Sequence, residues 1–150
     1  MVCRMFSFET EVDNTRRALL RTRLRAANTE ASPVLRALRG THESPLHIWA
    51  TTPANPLCGG LVGHTWAGWL HVTFLWVDPE HRGAGLGTGL LTAAERIAHE
   101  ERGCAAVRLE TWDFQAPDFY RKSGYDEVCA IPDYPPGVTE FTFTKRLGRA

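Results

Sequence analysis

From Leu46 onward the chain reads as short extended segments. LHIWATT is broken by the prolines of PANP, CGGLVGHT follows, and WAGW turns the chain into LHVTFLWV, giving a predicted three-strand meander. In the last of these, Leu70, Val72, Phe74 and Trp76 fall on one face and His71, Thr73, Leu75 and Val77 on the other. The first set is wholly apolar; the second carries polar atoms. After DPE, Asp78 to Glu80, the period changes: Leu86, Leu90, Leu91, Ala94, Ile97 and Ala98 recur at helical spacing, and Gly103 supplies a stop. CAAVRLET then reads as a strand, APDFYRKS as a short helix closed by Gly124, and DEVCAI and TEFTFTK as strands on either side of the PDYPPG turn. A strand, a crossover helix and a strand at the centre predict one parallel pair inside a mixed α/β fold. The N-terminal third is harder to read. Residues 2–9 alternate weakly like a strand, Asp13 or Asn14 suits the cap of a helix reaching about Ala27, and VLRALRG forms one or two helical turns closed by Gly40.

The helix that begins near Leu86 starts in HRGAGLGTGLL, where Gly83, Gly85, Gly87 and Gly89 occupy alternate positions. Glycine inside a helix costs about 1 kcal/mol relative to alanine, so this density needs a reason. The dinucleotide pattern G-x-G-x-x-G is absent, because Thr88 or Leu90 stands at its last position, and no G-K-[ST] follows for a Walker loop. A strand, a glycine-rich turn and a helix N-terminus remain. Unsatisfied N–H groups converge there, the helix dipole favours negative charge, and missing side chains let a diphosphate approach the backbone. The competing reading is a tight turn that lets the helix pack closely on the sheet.

Composition narrows the class. A length of 150 residues suits one domain over 1–150, and 43% hydrophobic with 23% charged residues is ordinary for a globular protein. No apolar run approaches a bilayer span and the N-terminus lacks a secretory pattern, so the expectation is a cytoplasmic protein without a membrane partner. Seventeen basic and seventeen acidic residues cancel, which disfavours nucleic acid as a partner; the arginines of RRALLRTRLRAA spread around a helix as a solvated face. Cys3, Cys58, Cys104 and Cys129 are far apart with no C-x-x-C, so buried free thiols are expected, with no metal site.

The stretch LWVDPEHRGAGLGTGLL resembles the acetyl-CoA-binding motif of the GCN5-related N-acetyltransferases (GNAT), R/Q-x-x-G-x-G/A, at Arg82, Gly85 and Gly87. Further on, DFQAPDFYRKSGY is similar to the family's second signature at Ala116, Tyr120, Gly124 and Tyr125. The resemblance covers about residues 46–147. It implies a GNAT fold, with a mixed, largely antiparallel central sheet, a β-α-β acetyl-CoA-binding core and flanking helices. It also implies direct transfer of acetyl from acetyl-CoA to an amine in a ternary complex, with no metal. Carried over by residue, the backbone of Val77 meets the pantetheine and acetyl carbonyl, the amides of Arg82, Gly83, Ala84, Gly85, Leu86, Gly87 and Thr88 hold the pyrophosphate, and Tyr120 is the general acid for the departing thiolate. Asp113 stands where the family often has an asparagine contacting the pantetheine arm.

For the base, His71 is read on the same strand face as Val77, and histidine titrates in the range that suits proton removal near neutrality. A histidine occupies this strand position in the aralkylamine branch of the superfamily. Glu110 and Asp113 at the end of the next strand are rivals, acting through water, and the bland alternative for each is a hydrogen-bonded structural residue or a helix cap. Trp49, Trp66, Trp69, Trp112 and Tyr134 lie at strand ends or turns where rings line a pocket, with Glu110, Asp113 and Asp133 adding negative charge for a cationic acceptor. The expected acceptor is a small-molecule amine, including an aminoglycoside-like antibiotic. A protein lysine or N-terminus, and a non-catalytic acyl-CoA-binding module, are the alternatives. The late strand TEFTFTK suggests a route to a homodimer.

Overall fold

The computed structural model of the chain describes residues 7–148. The weak alternation over 2–9 falls largely outside them, as does Cys3, and residues 7–9 form no strand. Two compact units divide at residues 41 and 42. The first contains helix α1 (Asn14–Ala31), capped by the Asp13 side chain accepting from the Arg16 N–H, and helix α2 (Pro33–Ala37), capped by Ser32 with proline in its first turn. Helix α1 runs one turn beyond the expected Ala27 and buries none of its residues.

The second unit is the sheet. Strands β1 (Ser44–Ala50), β2 (Gly59–Trp66) and β3 (Trp69–Val77) form the meander; helix α3 (Leu86–Arg96) crosses over to β4 (Ala106–Trp112); helix α4 (Pro117–Lys122), β5 (Asp126–Ile131) and β6 (Glu140–Arg146) follow. The sheet order is β1-β2-β3-β4-β6-β5, with β3 and β4 parallel and every other pair antiparallel. Both edges of β6 are therefore paired, which corrects the expectation that TEFTFTK is available to join a second copy. The core lies on the α3 side, where Leu90, Leu91, Ala94 and Ala98 pack with Leu46, Leu61, Leu70, Val72, Val107, Leu109 and Phe143. Cys58 and Cys104 are buried thiols, but Cys129 is exposed because β5 buries none of its residues.

The faces of β3 differ from the simple alternation. Val62 pairs with Phe74 and Gly63 with Val72, so Thr73 is an extra residue, a β-bulge. A Cβ on Gly63 would run into the His71 carbonyl oxygen, so only glycine lets β2 press this closely against the bulge. Because side chains alternate with period two, one extra residue exchanges the faces of everything beyond it. Leu70 and Val72 point into the core, then Leu75 and Val77 do; Phe74 and Trp76 turn outward and are 66% and 45% exposed. His71 consequently lies on the opposite face from Val77, not on the same one.

Candidate active site

Strands β3 and β4 pair only from Trp69↔Ala106 to Val72↔Leu109, although β3 continues to Val77 and β4 to Trp112. Beyond that point they diverge and leave a cleft of about 1160 Å³, lined by β3 residues 72–77, the glycine turn, β4 residues 109–111 and α4. The Cys58 carbonyl accepts from the Asp78 N–H at 2.9 Å, so Gly59↔Val77 is a pair whose own peptide groups point away from each other. Val77, and Leu75 two residues earlier, therefore direct N–H and C=O toward the edge that β4 has left. The Val77 carbonyl accepts from Arg82 Nε at 3.0 Å, so it is engaged within the chain, and its N–H is the group turned to the cleft.

At the mouth of the cleft the glycine turn has a mixed origin. Gly83 and Gly85 hold φ of +77° and +81°, the left-handed region in which a side chain is strained, and Gly85 is the N-cap of α3. No side chain caps this helix, so its first N–H groups face outward as a positive helix end. A Cβ at Gly83 or Gly85 would meet nothing within 4 Å, so backbone conformation, not space, requires glycine there. Gly87 and Gly89 are not in the left-handed region; a Cβ at Gly87 would sit 3.6 Å from Phe119 and Val77, and one at Gly89 would touch nothing. The two halves of the motif should respond oppositely to alanine. Gly89→Ala is expected to stabilise the fold by about 0.5–1 kcal/mol and Gly85→Ala to destabilise it by about 1–2 kcal/mol. Denaturant midpoints measure both, and equal effects would contradict this division.

The open, uncapped turn fits a diphosphate. His81, Arg82, Gly83, Gly85, Leu86, Gly87 and Thr88 line the cleft, with Tyr120 deeper inside; Ala84 and Asp113 stand outside its lining. Asp113 is tied elsewhere, its carboxylate accepting from the Thr139 N–H at 2.9 Å and its own N–H donating to the Thr139 carbonyl, also at 2.9 Å. It does not cap α4, whose N-cap is Ala116. Tyr120 is buried among Phe119, Tyr125 and Phe143, and this desolvation pushes its phenol up to about 12.

The two candidate bases meet. His71 Nε2 lies 2.7 Å from Glu110 Oε2, and the other Glu110 oxygen accepts from Arg108. Burial pushes the Glu110 carboxyl up, but the hydrogen bonds and charges of Arg108 and His71 outweigh this and hold it below the usual carboxylate range. The ionised carboxylate can only accept, so Nε2 carries the proton and Nδ1 is the basic nitrogen of the neutral ring. Glu110 also lines the cleft, while His71 stands just behind it, so the pair reaches the wall where β3 and β4 separate through the carboxylate. Its depressed carboxyl adds stability that is present above the ordinary carboxylate range and is lost as pH falls through the lowered value.

Aromatic residues lie around the same wall. Phe74, Trp76 and Phe114 line the cleft, and Phe114 is 65% exposed; sequence reading missed all three, two of them because the bulge hid their outward direction. Trp49 lies over Gly60, where a Cβ would come within 2.7 Å of its ring. Trp49, Trp66 and Tyr134 are exposed. Trp112 packs against Phe114 at 5.5 Å and holds a buried Nε1 with no hydrogen-bond partner among the described residues. Asp133 accepts from the Gly137 N–H within its turn at 3.2 Å. Among the described residues no cluster of metal-ligating side chains occurs and no helix is long and apolar enough to cross a membrane.

The profile of the acetyltransferase (GNAT) family matches residues 9–125. The chain is 51% identical over 131 residues to a blasticidin-S acetyltransferase of Streptomyces morookaense, covering 83% of this chain and 96% of that protein. The crystal structure of an acetyltransferase from Bacillus cereus superposes with a TM-score of 0.82 at 28% identity, covering 94% of this chain and 98% of the other. A nourseothricin acetyltransferase superposes with a TM-score of 0.63 at 25% identity, covering 70% of this chain and 66% of the other.

Proposed function

Because the chain belongs to the acetyltransferase (GNAT) family, we propose that its cleft binds acetyl-CoA and that the enzyme acetylates an amine of a small-molecule antibiotic, blasticidin S being the first to test. The divergence of β3 from β4 beside an uncapped helix end carries this reading, since it supplies both a channel and an anion site in one place. Bound there, acetyl-CoA supplies the activated acyl thioester. The amides from Arg82 to Thr88 hold its diphosphate, and the Val77 N–H orients the acyl end. His71, held by Glu110, takes the proton from the acceptor ammonium at Nδ1, freeing the amine for attack. Phe74, Trp76 and Phe114 form the ring-lined side on which a cationic acceptor rests, with Glu110 as the nearest negative charge. The reaction runs in one catalytic domain in the cytoplasm.

Tyr120 completes the site as the group facing the departing sulfur. A phenol raised to about 12 stays protonated across the working range, and it is a weaker acid than an ordinary thiol at about 8.5. Its contribution is therefore a hydrogen bond to the sulfur as charge develops there, more than complete transfer of a proton. Tyr120→Phe is expected to lower kcat by about 10²-fold, with no new ionisation in the pH profile below about 11 and acetyl-CoA affinity nearly unchanged. Release of free thiol from acetyl-CoA, measured with blasticidin S and then a panel of amines, tests the whole reading. Acetyl-CoA binding without turnover on any amine would instead favour a binding module, and an unchanged kcat in the phenylalanine variant would remove Tyr120 from the chemistry.

A further inference from the structure

One register line crosses the sheet on the face away from the core: His64 of β2 pairs with His71 of β3, His71 with Arg108 of β4, and Arg108 with Thr144 of β6. The two imidazoles meet edge to face, with centroids 5.2 Å apart and planes at 77°. On its outer side His64 Nε2 lies 3.8 Å from Glu43 Oε1, and both imidazole side chains keep about 30% of their surface in solvent. The glycine at position 63, beside the bulge, is what brings β2 close enough for this contact. The result is an unbroken series of carboxylate, imidazole, imidazole, carboxylate and guanidinium from Glu43 to Arg108.

We infer that His64 is a positioning residue for the reaction: its ring, with Glu43 on the outer side, walls the His71 imidazole into the orientation that Glu110 holds. This inference rests on His71 being the base. The charged and titratable groups sharing the face are Glu43 and His47 on the β1 side, His71 on β3, Arg108 and Glu110 on β4, Glu140 and Arg146 on β6, and, farther across the sheet, Asp126 and Cys129 on β5. Of these only His71 is in ring contact with His64, and only Glu43 is within ion-pair distance of it among the described residues.

The test compares three variants of the full chain in the thiol-release assay. His64→Phe keeps the ring contact, so kcat should stay within about twofold of the parent. His64→Ala removes the wall, and kcat should fall about 10-fold with KM for acetyl-CoA unchanged. Acetyl-CoA binding by each variant reports that the cleft is folded. His71→Phe separates the two levels of the reading. If it is inactive while His64→Ala keeps the parent's kcat, His64 has no such role and the base stands. If His71→Phe retains full kcat, both the base and the inference built on it are overturned.

Discussion

A His71→Phe enzyme is expected to lose about 10²- to 10⁴-fold in kcat, the usual range for removing a general base, while its affinity for acetyl-CoA changes little. The separation follows from geometry: His71 is not among the residues lining the cleft, whereas its partner Glu110 is, so the ring can be removed without touching the donor's channel. Phenylalanine also preserves the edge-to-face contact with His64. Glu110→Gln provides the contrasting case. Its amide oxygen still accepts from Nε2, so the ring stays oriented, but the negative charge that favours the imidazolium is gone. Its kcat should therefore fall, but less than in His71→Phe. Steady-state kinetics across the neutral and acid range measure both, and a His71→Phe enzyme with the parent's kcat would show that the amine arrives already deprotonated.

Phe143→Ala is expected to cost about 3–5 kcal/mol of folding stability, lowering Tm by roughly 10 °C in a chain of this size. Phe143 is fully buried near the middle of β6, with Tyr120 6.0 Å and Phe141 6.2 Å from its ring and the Arg121 guanidinium 5.5 Å away. Removing it leaves a cavity directly behind Tyr120, so kcat should fall in the fraction that remains folded. Phe143→Leu, which keeps most of the volume, should cost much less and retain activity. Thermal unfolding with and without acetyl-CoA distinguishes loss of packing from loss of the site; a change of under 1 kcal/mol would mean the surrounding rings close over the gap.

Much of this was legible in the sequence, and what was not has two kinds of cause. The meander, the crossover helix and the helix capped at Asp13 depend on neighbours a few residues apart, and spacing reports those. The glycine turn was legible for the same reason, since left-handed φ at Gly83 and Gly85 is a local demand. The pairing of His71 with Glu110 joins residues 39 positions apart and depends on the β3–β4 register, so each had to be read alone, as a rival of the other. The insertion of β6 between β4 and β5 likewise depends on strand order, and with it went the idea of a free late strand. The bulge at Thr73 was invisible for a different reason. Leu75 and Val77 are as apolar as Phe74 and Trp76, so an alternation that changes faces midway reads the same as one that does not.

That exchange of faces also separates two selective pressures along one strand. Residues 70 and 72 before it, and 75 and 77 after it, answer to the interior, where a change of one methylene is felt. Phe74 and Trp76 answer to whatever enters from outside, and replacing them leaves the interior intact. An enzyme built this way can acquire a new acceptor by drift at two positions without first acquiring spare stability, so related chains sharing the bulge would be expected to differ most in substrate at those two residues.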